Sequence, residues 1–333
     1  MLPIAISVIK LLIDDKEGLT KGDKNFALSI MLGIAFAANA GGIATVIGTP
    51  PNSVLIGLLE NQYNIQISFL TWMSFGLPFS IIMIVAVYFV LVKLMFPSKG
   101  ILFSASANLI TDEVEKLGKI SKEEKRVLLI FGITVFLWVT RTIINSIFPN
   151  LKLSDTIISL IGAVSLFAIP MNFHKRNFIL KWKDTEKLAW GILLLFGGGL
   201  ALANAMDSSG LVALITDSIA AGNLNVLVTV SLLIILMLFM TELMSNVALI
   251  SVLAPVVAGI AIGLNIPILN LLIPVTMASS CAFMLPMATP PNAIVFASGY
   301  VKVNQMVKAG ILLNLIAVGL LILYYQFVIP LFF

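Results

Sequence analysis

The strongest constraint on this chain is a tetrapeptide that occurs twice inside apolar sequence. Thr49-Pro50-Pro51-Asn52 recurs as Thr289-Pro290-Pro291-Asn292, an offset of 240 residues. Proline lacks a backbone donor and disfavours helix at the preceding residue, so each Pro-Pro pair interrupts a helix and leaves backbone groups unpaired. At membrane depth such backbone occurs only where protein, water or a ligand satisfies it. The repeat therefore predicts two discontinuous helices whose breaks lie in protein-lined space.

The composition places these breaks in a membrane. Of the 333 residues, 59% are hydrophobic and 11% are charged, and the mean hydropathy is +1.08. These values are typical of a polytopic membrane protein. We expect it to be all-α and to lie in the cell membrane as a multi-pass protein. The net charge of +4 comes from basic residues in loops, which indicates membrane topology rather than nucleic-acid binding. The single cysteine, Cys281, allows no internal disulfide.

The chain divides into two halves around a charged linker at residues 97–126. Residues 1–96 form the first half, with the end of a hairpin, a broken helix and a span. The second half, residues 127–333, contains spans, a hairpin at 226–264, a broken helix at 267–300 and a final span. The hairpin is predicted because 226–264 is too long for one span and contains a polar interruption.

Two charged residues within apolar segments leave alternatives open. Glu242 lies in the hairpin interruption, where a carboxylate is costly, and could be a proton or cation site or a satisfied structural group. Arg141 lies within a predicted span and could extend to the interface or face the protein interior. The proline loops could also be simple kinks, and Ser245-Asn246 could be an interhelical hydrogen bond.

The direction of the two copies predicts an inverted repeat. When the linker is placed in the cytoplasm, every basic cluster lies on that side, and the copies then cross the membrane in opposite directions. Inverted repeats with broken helices are typical of secondary transporters. Aligning Pro3 with Pro255 puts the counterpart of Ser245 about eight residues before Met1. We therefore expect the first repeat to be truncated at its N-terminus.

Several motifs together resemble one family. They are Ser245-Asn246-Val247 with Thr241-Glu242 before it, the two proline loops, and the segment from Phe196 to Ala203. With these residues the chain resembles, over its whole length, the divalent anion/sodium symporter family of dicarboxylate, citrate and sulfate carriers. In that family the hairpin tips carry a Ser-Asn-Thr signature, and here the third position is Val247.

The resemblance implies specific site residues. It implies sodium held by Thr241, Asn246 and the carbonyls of Met244 and Ala288, and an incomplete second sodium site at Gly48. The implied substrate-binding residues are Ser245, Asn246, Val247, Thr289, Pro290, Thr49 and Pro50.

The expected function follows from the same resemblance. We expect sodium-coupled transport of a divalent anion such as succinate or malate by a homodimer in the lipid bilayer, with a transport domain moving against a scaffold. No nucleophile, base and orienting group are grouped, so an enzyme is not expected. Two alternatives remain: a sodium-independent anion exchanger, and a non-transporting fragment or interaction protein, because the first signature is absent.

Overall fold

A computed structural model describes residues 1–14, 20–98, 118–172, 177–188, 190–211, 213–214, 217 and 225–333. The described chain is helical apart from a two-stranded antiparallel ribbon, β1 (Pro170–Asn172) and β2 (Asn177–Phe178). This confirms the all-α class. The helices are α1 (Leu2–Asp14), α2 (Lys21–Gly42), α3 (Pro50–Tyr63), α4 (Phe69–Tyr88), α5 (Lys122–Ile147), α6 (Asp155–Ala168), α7 (Gly191–Ser208), α8 (Val226–Thr241), α9 (Asn246–Gly263), α10 (Ile268–Ser279), α11 (Pro290–Ala297) and α12 (Val303–Leu323).

Among the described residues, five helical segments are long and apolar enough to cross a membrane. They are Lys21–Gly42, Phe69–Met95, Lys122–Ile147, Asn246–Gly263 and Val303–Leu331. Two of them contain π-helix near their C-terminal end, at Phe89–Met95 after α4 and at Tyr324–Val328 after α12. The sequence predicted spans in both halves, but it assigned Lys21–Gly42 to a broken helix and Asn246–Gly263 to the hairpin at 226–264. The π-helical turns have no signal in the sequence.

Local capping explains where two of the spans begin. The Thr20 hydroxyl accepts a hydrogen bond from the Asp23 amide, and the Asp23 carboxylate accepts from the Thr20 amide. Ser121 and Glu124 form the same reciprocal pair at the start of α5. Such capping boxes satisfy amides that have no helical partner. The capping box of Ser121 and Glu124 therefore defines where α5 begins after the charged residues.

Both broken helices end earlier than the sequence predicted. The sequence placed each interruption at the Pro-Pro pair, but α2 already ends at Gly42 and α10 at Ser279. In both cases the helix resumes at the Pro-Pro pair, as α3 and α11, because proline is favoured in the first helical turn. Each break is therefore an unwound segment rather than a kink at the prolines.

The described chain forms two compact units. Unit 1 comprises Met1–Gln66, Met73–Leu102 and Gly191–Phe333, and unit 2 comprises Ile67–Trp72 and Phe103–Trp190. These two units differ from the two halves of the sequence. The division into halves belongs to the predicted inverted repeat, and it stays a prediction. Residues 99–117 of the linker lie outside the described residues, as do residues 173–176.

Unit 1 is built around the hairpin α8–α9. Helix α9 packs against α7, α10 and α3, while α8 packs against α10 and α12. The close approach of α7 to α9 depends on Gly199, where a Cβ would collide with the side chain of Ser251. Gly197 and Gly198 face open space. Of the glycine triplet in α7, only Gly199 is therefore required for helix packing.

Unit 2 pairs α5 with α6 through polar and aromatic contacts. The Arg141 guanidinium lies 3.1 Å from the Asp155 carboxylate, which also accepts from the Phe69 amide. Phe69 stacks on Trp138 at a ring-centroid distance of 5.2 Å. Arg141, for which two orientations were open, is thus paired with an acidic residue at the start of α6.

Candidate functional site

A cavity of about 620 Å³ lies within unit 1, where the two helix breaks meet the tip of the α8–α9 hairpin. None of the described residues that line it is Lys or Arg. Its lining is Ala38, Asn39, Gly42, Gly48, Thr49, Pro50, Pro51, Gly191, Ser245, Asn246, Val247, Ser280, Met287, Ala288, Thr289, Pro290, Pro291 and Ala293. Four parts of the chain that are far apart in sequence, namely the two breaks, the hairpin tip and Gly191 of α7, therefore converge on one uncharged space.

The hairpin tip directs a helix N-terminus at this cavity. Helix α8 ends at Thr241 and α9 begins at Asn246, with Ser245 as the N-cap. The Ser245 hydroxyl makes no capping hydrogen bond, so it remains available to a ligand. The first three amides of a helix have no helical partner, and the helix dipole adds positive potential there. This end of α9 is suited to bind an anion.

The starts of α3 and α11 offer fewer donors than the start of α9. Each begins with two prolines, which have no amide hydrogen, so the first amide belongs to Asn52 or Asn292. The Asn292 amide donates to the Thr289 hydroxyl at 3.4 Å, whereas Thr49 accepts from the Ser280 hydroxyl at 3.5 Å. The two threonines thus have different partners despite their identical motifs.

Three neutral oxygens converge beside the hairpin tip. The Thr241 hydroxyl lies 2.8 Å from Asn246 Oδ1 and 2.8 Å from the Ser279 carbonyl oxygen. A hydroxyl has one proton and can donate to only one of these acceptors at a time. Thr241 is fully buried behind Asn246. This arrangement leaves an oxygen-rich place that fits a hard monovalent cation.

Glu242 lies next to this cluster and is 2% exposed. Its Oε1 accepts from the amides of Phe283 (2.8 Å) and Met284 (2.9 Å), and from Asn314 Nδ2 (2.7 Å). Its Oε2 accepts from the Leu285 amide at 3.0 Å. Of the two alternatives for Glu242, these four donors favour the structural carboxylate.

Side-chain amides satisfy the carbonyls of the second break. Asn292, which is fully buried, donates to the carbonyls of Ala282 and Leu285, each at 3.1 Å. Asn39 of α2 donates to Asn292 Oδ1 at 3.0 Å and to the Ala282 carbonyl at 3.1 Å. Asn39 therefore links the first broken helix to the second break.

The first break has a sparser network. Asn52 Nδ2 donates to the Thr45 carbonyl at 2.9 Å, and the Ser53 hydroxyl donates to the Val46 carbonyl at 2.9 Å. Asn52 Oδ1 is buried without a hydrogen-bond partner among the described residues. A Cβ at Gly48 would collide with the Gly42 carbonyl, so this break requires glycine for its tight turn.

The structure gathers most of the predicted site residues. Ser245, Asn246, Val247, Gly48, Ala288 and the Thr-Pro pairs at 49–50 and 289–290 line the cavity, whereas Thr241 lies behind it and Met244 is exposed outside the lining. The sequence analysis gave no role to Asn39, Ser280 or Gly191, which also line it. For Asn39 a signal existed, because it is the one side-chain amide in the apolar segment before the first break.

Comparison with known proteins decides the family. The family model described as "Sodium:sulfate symporter transmembrane region" matches residues 1–333. The chain belongs to this family. This confirms the resemblance drawn from the motifs, and the family is one of multi-pass membrane transporters rather than enzymes.

Two relatives carry the name "Sodium-dependent dicarboxylate transporter SdcS". The protein of Staphylococcus saprophyticus subsp. saprophyticus is 35% identical over 335 residues, which cover 99% of this chain and 64% of the relative. The protein of Staphylococcus aureus (strain USA300) is 34% identical, with the same coverage. The chain thus spans 64% of the length of these curated relatives.

Proposed function

We propose that this symporter-family chain carries a divalent organic anion, a C4-dicarboxylate such as succinate or malate, across the membrane together with sodium. The observation that carries the proposal is the uncharged cavity at the meeting of the two breaks and the hairpin tip, which the Ser245 and Asn246 side chains line. The family and the name of the two relatives support both the sodium and the dicarboxylate.

The cavity chemistry supports an anion bound by neutral donors. The Ser245 hydroxyl, the Asn246 side chain and the free amides at the start of α9 can donate to one carboxylate. Since no described Lys or Arg lines the cavity, a dianion there lacks a countercharge from the protein. Bound cations supply that countercharge, which gives a physical reason for coupled transport.

The cation site is proposed at the oxygen cluster of Thr241, Asn246 and Ser279. The carbonyls of Met244 and Ala288, at the hairpin tip and at the second break, are proposed as further ligands. Neutral hydroxyl, amide and carbonyl oxygens bind sodium without placing a fixed charge in the membrane. No cluster of three His, Cys, Asp or Glu side chains occurs among the described residues, so the site has no acidic cage.

The second sodium site is proposed at Gly48 in the first break. Its support is the mutual packing of the broken helices: α2 packs against α11, and α3 packs against α10. The N-terminal half of each broken helix thus contacts the C-terminal half of the other broken helix. The predicted inverted repeat requires this arrangement. The homodimer and the movement of a transport domain stay predictions.

Reconstituted transport tests this proposal. Purified protein in proteoliposomes should take up radiolabelled succinate when an inward sodium gradient is imposed. Asn246→Ala should abolish this uptake, because it removes a cation ligand and a substrate donor together. Asn61→Ala is the matched control, since Asn61 is exposed and bonds only the Gly57 carbonyl of its own helix. Undiminished sodium-dependent uptake by Asn246→Ala would refute the site.

The same assay separates the two alternatives. An exchanger would take up labelled succinate without sodium when unlabelled succinate is loaded inside the vesicles. A non-transporting interaction protein would show neither sodium-dependent nor exchange uptake. Sodium dependence in vesicles without internal succinate would exclude both alternatives.

A further inference from the structure

The buried carboxylate of Glu242 joins the hairpin tip to the second helix break. It receives three consecutive backbone amides, from Phe283, Met284 and Leu285, at 2.8 to 3.0 Å. Asn314 of α12 adds a fourth donor at 2.7 Å. A carboxylate that accepts from adjacent amides holds them as a backbone nest holds a bound anion. The unwound segment therefore folds around a side chain of another element.

The hydrogen bonds of Glu242 and Asn292 together pair five backbone groups of the second break. The carbonyls of Ala282 and Leu285 accept from Asn292, and the amides between and including Phe283 and Leu285 donate to Glu242. In the first break the described side-chain donors are the Asn52 amide and the Ser53 hydroxyl, and the backbone amides of Ile43, Ala44 and Gly48 donate to carbonyls three residues earlier. The two breaks share a motif but differ in how firmly their backbone is fixed.

Glu242 also adjoins the oxygen cluster of the proposed cation site. It follows Thr241 directly in sequence, and the amides that it holds begin four residues after Ser279. The Thr241 hydroxyl and the Ser279 carbonyl are 2.8 Å apart, so a shift of either segment separates them. Within the described chain Glu242 forms no ion pair, and its oxygens are taken by the four donors. The backbone that three of these donors belong to gives Glu242 a direct structural link to the cation site.

We propose that Glu242 is a positioning residue, which holds the second break in fixed register with the hairpin tip and so sets the affinity of the cation site between them. The proposal rests on the proposed sodium-coupled function. Glu242 does not touch the cation; it fixes the oxygens that do.

The test compares three variants of the full chain for sodium dependence of succinate uptake. Glu242→Gln keeps the shape but brings an NH2 group against the amides, so the sodium concentration for half-maximal uptake should rise by about tenfold, the usual cost of losing a supporting partner of a metal ligand. Asn314→Ala removes one of four donors and should cause a smaller rise. Glu60→Gln is the matched control, because Glu60 is exposed, and it should behave as the unmodified chain.

Hydrogen exchange provides a readout that does not depend on transport. In Glu242→Gln the amides of Phe283 to Leu285 should exchange faster, while those of the first break, Ala44 and Gly48, should keep their rates. If Glu242→Gln does not fold, Asn314→Ala carries both measurements. Unchanged exchange at 283–285 together with an unchanged half-saturating sodium concentration would overturn the proposal. If the unmodified chain shows no sodium-dependent uptake, the proposed function fails, and the exchange result still decides whether Glu242 holds the break.

Discussion

Val247 occupies the third position of the hairpin-tip signature, where the family has a threonine, and it lines the cavity. A threonine there has nearly the same volume and adds one hydroxyl donor. Val247→Thr should therefore lower the KM for succinate by about threefold to tenfold, the effect of one hydrogen bond. Uptake kinetics at saturating sodium measure this change. Val228→Thr, an exposed valine on α8, is the control, and an unchanged or raised KM in Val247→Thr would contradict the prediction.

At the residue scale, the cavity lining could be predicted only where a motif marked it. The hairpin tip and both proline loops were recognisable from local sequence. Asn39 was visible as a polar residue in an apolar segment, but its partners Ala282 and Asn292 lie 243 and 253 residues further along the chain. No local pattern specifies a hydrogen bond over that distance. The role of Asn39 therefore needed the tertiary structure.

At the element scale, the ends of the broken helices show the same limit. Prolines predicted where α3 and α11 begin, because their effect on the backbone is local. The end of α10 at Ser279 depends on Glu242, which takes amides 41 to 43 residues away. Pro286 within the unwound segment adds a residue without a donor. Helix ends that depend on distant hydrogen bonds cannot be predicted from the helix propensity of the local sequence.

Helix α12 approaches the second break through a glycine. A Cβ at Gly310 would collide with the Phe283 carbonyl and lie 2.6 Å from Met284 Cα, whereas a Cβ at Gly319 on the same helix meets nothing within 4 Å. Gly310→Ala should destabilise the protein by about 1–3 kcal/mol, the cost of overpacking. Gly319→Ala should be neutral or stabilise by up to about 1 kcal/mol, because alanine favours helix.

Size-exclusion chromatography after heating measures this difference in detergent. The temperature at which half of the monodisperse peak is lost should fall for Gly310→Ala and stay or rise for Gly319→Ala. If this temperature were the same for the two variants, α12 would not be in close contact with the second break at Gly310. The comparison holds the substitution and the helix constant, so only the local contact differs.

At the scale of the whole molecule, the uncharged cavity predicts that the binding of succinate depends on bound sodium, whereas the binding of sodium does not depend on succinate. A dianion that enters without a protein countercharge gains its favourable potential from bound sodium. A ligand that binds only the folded protein raises its stability in proportion to the logarithm of ligand concentration over Kd, about 2.7 kcal/mol at a hundredfold excess. Sodium should therefore stabilise the protein alone, whereas succinate should add stability only when sodium is present.

Thermal unfolding in four buffers tests this order: potassium chloride or sodium chloride at equal ionic strength, each with and without succinate. Equal ionic strength keeps general screening constant, so a difference between the two salts reports specific cation binding. The succinate-induced rise in unfolding temperature should appear in sodium chloride and vanish in potassium chloride, and Asn246→Ala should lose it in both. An equal rise in potassium chloride would mean that dianion binding does not require sodium, which would contradict the predicted order.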